Sequence, residues 1–132
     1  GLDPSRFPQS TLELDAARIE ALGVTNLRTS TIWTDGVHEY SGVSLKDFLT
    51  FLGVSNGTLR GYALNDYVVD VPASDGVDGG PILAHKMDNV EMSVRDKGPV
   101  WLIYPYDQKS EYRSEVIFQR SIWQLNRIEV LH

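Results

Sequence analysis

Cysteine is absent from the 132 residues. That absence removes thiolate nucleophiles, cysteine zinc sites, iron–sulfur ligation and disulfides in one step. It leaves the compartment open, because disulfide-free proteins occur on both sides of membranes. No apolar run reaches the roughly 20 residues of a membrane-spanning helix, so membrane insertion is not expected. Histidine is scarce. His38, His85 and His132 are the only imidazoles, and none stands in HExxH or His-x-His spacing, so no histidine-based metal site is expected. There is no GxSxG elbow, Walker lysine or GxGxxG loop. The segment DGVDGG precedes a strand pattern and reads as a surface loop. Positive charge is also in deficit. Twelve Lys and Arg against 18 Asp and Glu leave a net charge of −6, which argues against nucleic acid or an anionic membrane as the main partner.

What is present is an ordinary globular mixture, 42% hydrophobic and 23% charged. The length suggests one domain over residues 1–132, with 1–10 as an extended, Pro- and Ser-rich lead-in. The chain begins GLDPSRF without Met and reads as a mature or trimmed form.

The pattern then alternates between few helices and many strands. Asp15 is placed to cap a short helix, DAARIEAL, that stops at Gly23. In NLRTSTIW, Leu27, Thr29 and Thr31 alternate with Arg28, Ser30 and Ile32, a strand period. TDG is a turn and VHEYSG a short strand. Ser44 opens the clearest helix, SLKDFLTFLG. Leu45, Phe48, Leu49 and Leu52 share one face of it, and Gly53 ends it. TLRGYALN and YVVDV are strands joined near Asn65-Asp66. PILAHKMD and EMSVR flank a turn at Asp88-Asn89. PVWLIYPY is expected to be a central strand. YRSEVIFQRSIW fits a helix or a strand, and QLNRIEVL is a last strand. Strands outnumber helices without regular βαβ alternation. The expectation is a single strand-rich α+β domain with antiparallel or mixed sheets and few short helices.

Two stretches raise functional questions. In RDKGPVWLIYPYD, charged residues and Gly-Pro lead straight into an apolar run. The turn either holds its own shape through ion pairs, or it presents Arg95 or Lys97 to an anion. Tyr40, Tyr67, Tyr104 and Tyr106, with Trp33 and Trp101, fall near strand ends. There they fill a core edge or wall a flat heterocycle. The hydroxyls of TSTIW fit a Ser-His-Asp triad no better than they fit plain strand-forming residues.

Five segments in order resemble the sulfite-oxidase-type molybdopterin-binding domain family, over about residues 24–130. YSGVSLKDFL resembles its W-x-G-x-x-L-x-D-x-L, and YVVDVP its Y-x-x-x-I-P. PILAHKMDNVEM looks like its V-L-A-Y-x-M-x-G-x-P-L hairpin. RDKGPVWLIYP is similar to R-D-H-G-x-P-x-R-x-x-x-P, one residue shorter, and SIWQLNRIEV resembles K-W-L-x-x-I. The resemblance implies a strand-rich α+β fold of mixed sheets and, as in small bacterial members, an exported, periplasmic or secreted protein. In that family a pterin dithiolene and one protein cysteine hold molybdenum, cationic side chains grip the pterin tail, and a tyrosine lies beside the metal. Tyr67 matches that tyrosine. The position matching the cysteine falls around Thr29–Thr31, where no thiol exists, and a neutral hydroxyl is a poor ligand for a thiophilic metal.

Three functions compete on this basis. The first is a non-catalytic module for a pterin, molybdopterin or other flat anionic small molecule. Thr29, Ser30 and Thr31 would form its floor and Trp33 and Tyr67 its walls, with Arg28, Arg95 or Lys97 supplying positive charge. The second is a molybdopterin-dependent oxidoreductase without a protein thiolate. The third is an interaction protein that kept the fold and lost the pocket, with contact loops near Asp75–Gly80 and Asp107–Tyr112.

Overall fold

A computed structural model describes residues 11–131. The lead-in over 1–10 and the imidazole of His132 lie outside the described residues. Nine strands and three α-helices follow in the order β1 (Thr11–Glu13), α1 (Ala16–Ala21), β2 (Thr25–Ser30), β3 (Val37–Ser44), α2 (Leu45–Leu52), β4 (Thr58–Ala63), β5 (Val68–Pro72), β6 (Ile82–Met87), β7 (Val90–Glu91), β8 (Trp101–Ile103), α3 (Glu115–Arg120) and β9 (Leu125–Leu131). One sheet runs β1-β9-β4-β5. The other runs β2-β3-β6-β7, with β8 also paired to β6. The expected strand-rich α+β class is what forms.

The pairing is antiparallel in every ladder between these strands. The mixed option is therefore not used. Parallel neighbours in one sheet need a crossover connection. Here α2 instead carries the chain out of the second sheet, from β3, into the first, at β4.

Local signals explain the helices. The Ser44 hydroxyl accepts the Asp47 N–H at 3.1 Å, and Gly53 closes α2 in the left-handed region at φ 75°. Leu45, Phe48, Leu49 and Leu52 are all buried, each contributing about 1.5–3 kcal/mol of transfer free energy. Asp15 caps α1 through the Arg18 N–H at 2.8 Å, and Ile19 fixes that helix to the core with no exposed surface. The ambiguous segment 112–123 resolves as α3, capped by Ser114.

Two strand expectations change. EMSVR contributes only Glu91, paired to Lys86. The Met92 N–H then bonds the His85 carbonyl, and Ser93 accepts from both Asp96 and Gly98, which curls the chain into turns. PVWLIYPY forms a strand ladder only at Trp101–Ile103, on one edge of β6. Trp101, Leu102 and Ile103 are nevertheless buried, because the segment runs under the other sheet. Val100 and Leu125 form a bridge, and the Leu102 N–H reaches the Ile122 carbonyl at 2.9 Å. The segment thus joins the sheets rather than centring one.

Candidate functional site

The hydroxyls of β2 and the turn after it are engaged locally. Thr29, with no exposed surface, donates to the Ser30 carbonyl at 2.9 Å and accepts the Asp107 N–H at 3.3 Å. The Ser30 N–H and hydroxyl both donate to the Asp107 carboxylate at 2.7 Å. Those two bonds hold the Asp107 carboxyl below its usual pKa, the side-chain bond contributing most. Thr31 accepts the Trp33 N–H at 3.1 Å and pairs with the Thr34 hydroxyl at 2.8 Å. These bonds clip the end of β2 to the loop after β8.

That clip turns Trp33 inward. Its ring meets Trp123 edge-on at 5.3 Å, Phe118 at 5.8 Å, Trp101 at 6.0 Å and Tyr106 at 6.2 Å. Edge-to-face pairs of this kind add about 0.5–1.5 kcal/mol each beyond area burial. Behind them, Tyr106 donates to the Ser121 hydroxyl at 2.6 Å, and Ser121 donates to the Ile117 carbonyl at 2.8 Å. Burial pushes the Tyr106 phenol up to about 12, so it stays a donor at neutral pH.

On the outer side of this cluster a cleft of about 360 Å³ opens, lined by Ile32, Trp33, Asn65, Tyr67, Glu115, Phe118, Gln119, Ser121, Ile122 and Trp123. Tyr67 crosses to α3, donating to the Gln119 carbonyl at 3.4 Å, and its N–H bonds the Asn65 side-chain oxygen at 3.1 Å. An anchor holds α3 in place. Arg120, its last residue, donates to Asp75 at 2.9 Å, and the buried Tyr104 donates to the same carboxylate oxygen at 2.7 Å. Burial, then the Asp75 bond, raises the Tyr104 phenol far above its usual value.

The residues singled out from sequence divide clearly. Trp33 and Tyr67 both line this cleft. Thr29, Ser30 and Thr31 lie below it as structural clips. Arg28 is exposed on β2, opposite Glu39, and Arg95 is exposed in the turns before β8. Lys97 places its ammonium 4.7 Å from the Trp123 ring centre and 5.4 Å from that of Trp101, with Asp96 3.7 Å away. None of the three cations lines the cleft. The α3 contributors Glu115, Phe118 and Gln119, and Trp123 beyond them, were missed from sequence. A Ser-Glu start before an apolar run was the available signal, but alternating residues on either side obscured it.

Two histidines stand apart. His38 bonds Asp88 at 2.6 Å through Nδ1 and the Asp35 carbonyl at 2.7 Å through Nε2. The Asp88 bond is the main reason its pKa is raised. His85 is 1% exposed, and neither ring nitrogen has a hydrogen-bond partner. It is the extra residue of a bulge, since Ser41 pairs with Lys86 and Gly42 with Ala84. Burial holds its imidazole below the usual pKa.

Among the described residues, no group of three or more His, Cys, Asp or Glu side chains is arranged to hold a metal ion. The clipped hydroxyls of Thr29–Thr31 do not fit as a molybdenum ligand either, since each is neutral and already bonded. No helix among the described residues is long and apolar enough to cross a membrane. No family model matches the chain, and no curated protein shows a significant match to it.

Proposed function

We propose that this chain is a non-catalytic binding module for a flat heterocycle of pterin type. The observation that carries the reading is the aromatic cleft, in which Trp33, Tyr67, Phe118 and Trp123 surround about 360 Å³ with a few polar groups between them. Mostly apolar concavities with few convergent polar groups are the usual form of small-molecule sites. Flat rings gain most from aromatic walls. The order of sequence segments shared with molybdopterin-binding domains supports a pterin as the heterocycle and an exported location. Molybdenum is not part of the proposal, because the Thr29–Thr31 hydroxyls are engaged and neutral.

Tryptophan fluorescence provides the test, since Trp33 and Trp123 both line the cleft. Titration with pterin is expected to quench emission saturably. A ligand at a hundred times its Kd is expected to raise stability by about 2.7 kcal/mol. Trp123→Ala is expected to abolish the quenching while the protein stays folded by circular dichroism. Absence of any saturable change with pterins and related planar rings refutes the reading.

A further inference from the structure

The polar complement of the cleft is one-sided. Among the described residues, Glu115 is the only charged side chain that lines it, and it stands at the start of α3 beside Ser114, whose hydroxyl caps the helix through the Ile117 N–H. Among the described residues, no hydrogen bond or ion pair engages the Glu115 carboxylate. The neighbouring polar side chains are the carboxamides of Asn65 and Gln119. The Asn65 oxygen already accepts from Tyr67, which leaves its amide hydrogens to donate. The described lining therefore offers one strong double acceptor, neutral donors and no cation.

Resting on the binding reading above, we propose that the cleft recognises a planar ring by an edge carrying two adjacent N–H donors, and takes that ring without a phosphate. An ionised carboxylate is acceptor-only and has two oxygens side by side. It pairs with two parallel N–H groups much as it does with a guanidinium. The 2-amino-4-oxopyrimidine edge, common to pterins and guanine, has that geometry. Ring faces rest on the aromatic walls, and the amide hydrogens of Asn65 are available to a ring carbonyl. A phosphate inside the cleft would meet Glu115 with no cation in the wall to offset it. This differs from the anionic ligand expected from sequence, which relied on Arg28, Arg95 or Lys97 reaching the site.

Isothermal titration calorimetry at pH 7 compares four ligands. These are pterin, lumazine (the same bicycle with a second carbonyl in place of the amino group), guanosine and its 5′-monophosphate. Pterin is expected to bind about tenfold to a hundredfold more tightly than lumazine, the range for a hydrogen bond to a charged group. Glu115→Gln is expected to erase most of that ratio, because the amide loses the charged double acceptor that pterin uses and can donate to the second carbonyl of lumazine. The monophosphate is expected to bind no more tightly than guanosine at low salt. Binding of pterin but not guanosine assigns the edge to a free pterin, and the reverse assigns it to a nucleoside. Equal affinity for pterin and lumazine, an unchanged ratio in Glu115→Gln, or tighter binding of the monophosphate overturns the proposal while leaving the ring-binding function standing. Failure of all four ligands overturns both.

Discussion

Replacing His85 with leucine should stabilise this protein. The imidazole is 1% exposed, and both of its nitrogens are buried without partners. A neutral imidazole always carries one donor and one acceptor. Leaving such a group buried and unpaired costs about 1–3 kcal/mol. Leucine removes both polar atoms and nearly fills the same volume, and imperfect repacking in such a swap costs less than about 1.5 kcal/mol. The expected net gain is about 1–2 kcal/mol, a rise of about 3–10 °C in Tm for a domain of this size.

The pH dependence sharpens this prediction. The folded-state pKa of His85 lies below the unfolded value of about 6.5. Between those two values the unfolded chain binds a proton that the native chain does not, so stability falls as pH falls. The limiting slope is about 1.4 kcal/mol per pH unit. Lys86 on the same strand opposes protonation, while Glu20 on α1 and Glu91 on β7 favour it. His38 acts in the opposite sense but is common to both proteins, so the difference between them isolates His85. Urea denaturation followed by tryptophan fluorescence at pH 8, 7, 6 and 5 measures that difference. The advantage of His85→Leu should be present at pH 8 and grow on acidification below about 6.5. A leucine variant less stable than wild type at pH 8 would show that the nitrogens are satisfied and refute the reasoning, as would a difference that is flat across the series.

Other perturbations test the frame around the cleft. Gly42→Ala places a Cβ onto the Leu83 carbonyl of the paired strand. Because backbone must shift, a loss near the upper end of overpacking costs, about 3 kcal/mol, is expected in chemical denaturation. Asp75→Ala leaves the Tyr104 hydroxyl buried and Arg120 unpaired. It should lower stability by about 1–3 kcal/mol and, by loosening α3, raise hydrogen exchange there. For His38, the raised folded pKa means its contribution is fully present below the unfolded value and is lost as pH rises through the folded value. The stability difference between wild type and His38→Ala should therefore shrink from pH 6 to pH 9, and a difference that grows over that range contradicts the assignment.

How much of this was legible in the sequence depended on whether the deciding contacts were local. The helix α2 could be read residue by residue, because its cap, its apolar face and its terminating glycine all lie within ten residues. The β4–β5 hairpin was legible for the same reason, with Asp66 taking the positive φ its turn requires. The segment 99–106 was misread as central because its apolar character reflects burial between sheets, and hydropathy does not distinguish that from burial by lateral partners. In 112–123, Val116 is 56% exposed beside the buried Ile117, a mixture that fits either period. The cleft was half legible. Trp33 and Tyr67 stood out by residue type, but Glu115, Phe118 and Trp123 join them only once α3 is anchored through Arg120 and Asp75, a contact that spans 45 residues.

The alternating hydroxyls of β2 show how the same residue types carry different meaning once their bonds are traced. On a strand, Thr29, Ser30 and Thr31 satisfy a strand propensity, and the family resemblance makes them a candidate ligand-binding floor. In the fold, each hydroxyl has a short bond to the chain itself, and Ser30 additionally holds Asp107 at two points. A hydroxyl so engaged contributes positional restraint in place of ligand contact. The restraint falls where Trp33 must leave the strand and turn toward four other aromatic rings. A binding site gains affinity when its walls are ordered before the ligand arrives, because less conformational freedom is lost on binding. The hydroxyls therefore reach the cleft through Trp33, whose N–H Thr31 accepts, and in the binding function proposed above recognition falls to the side chains on α3.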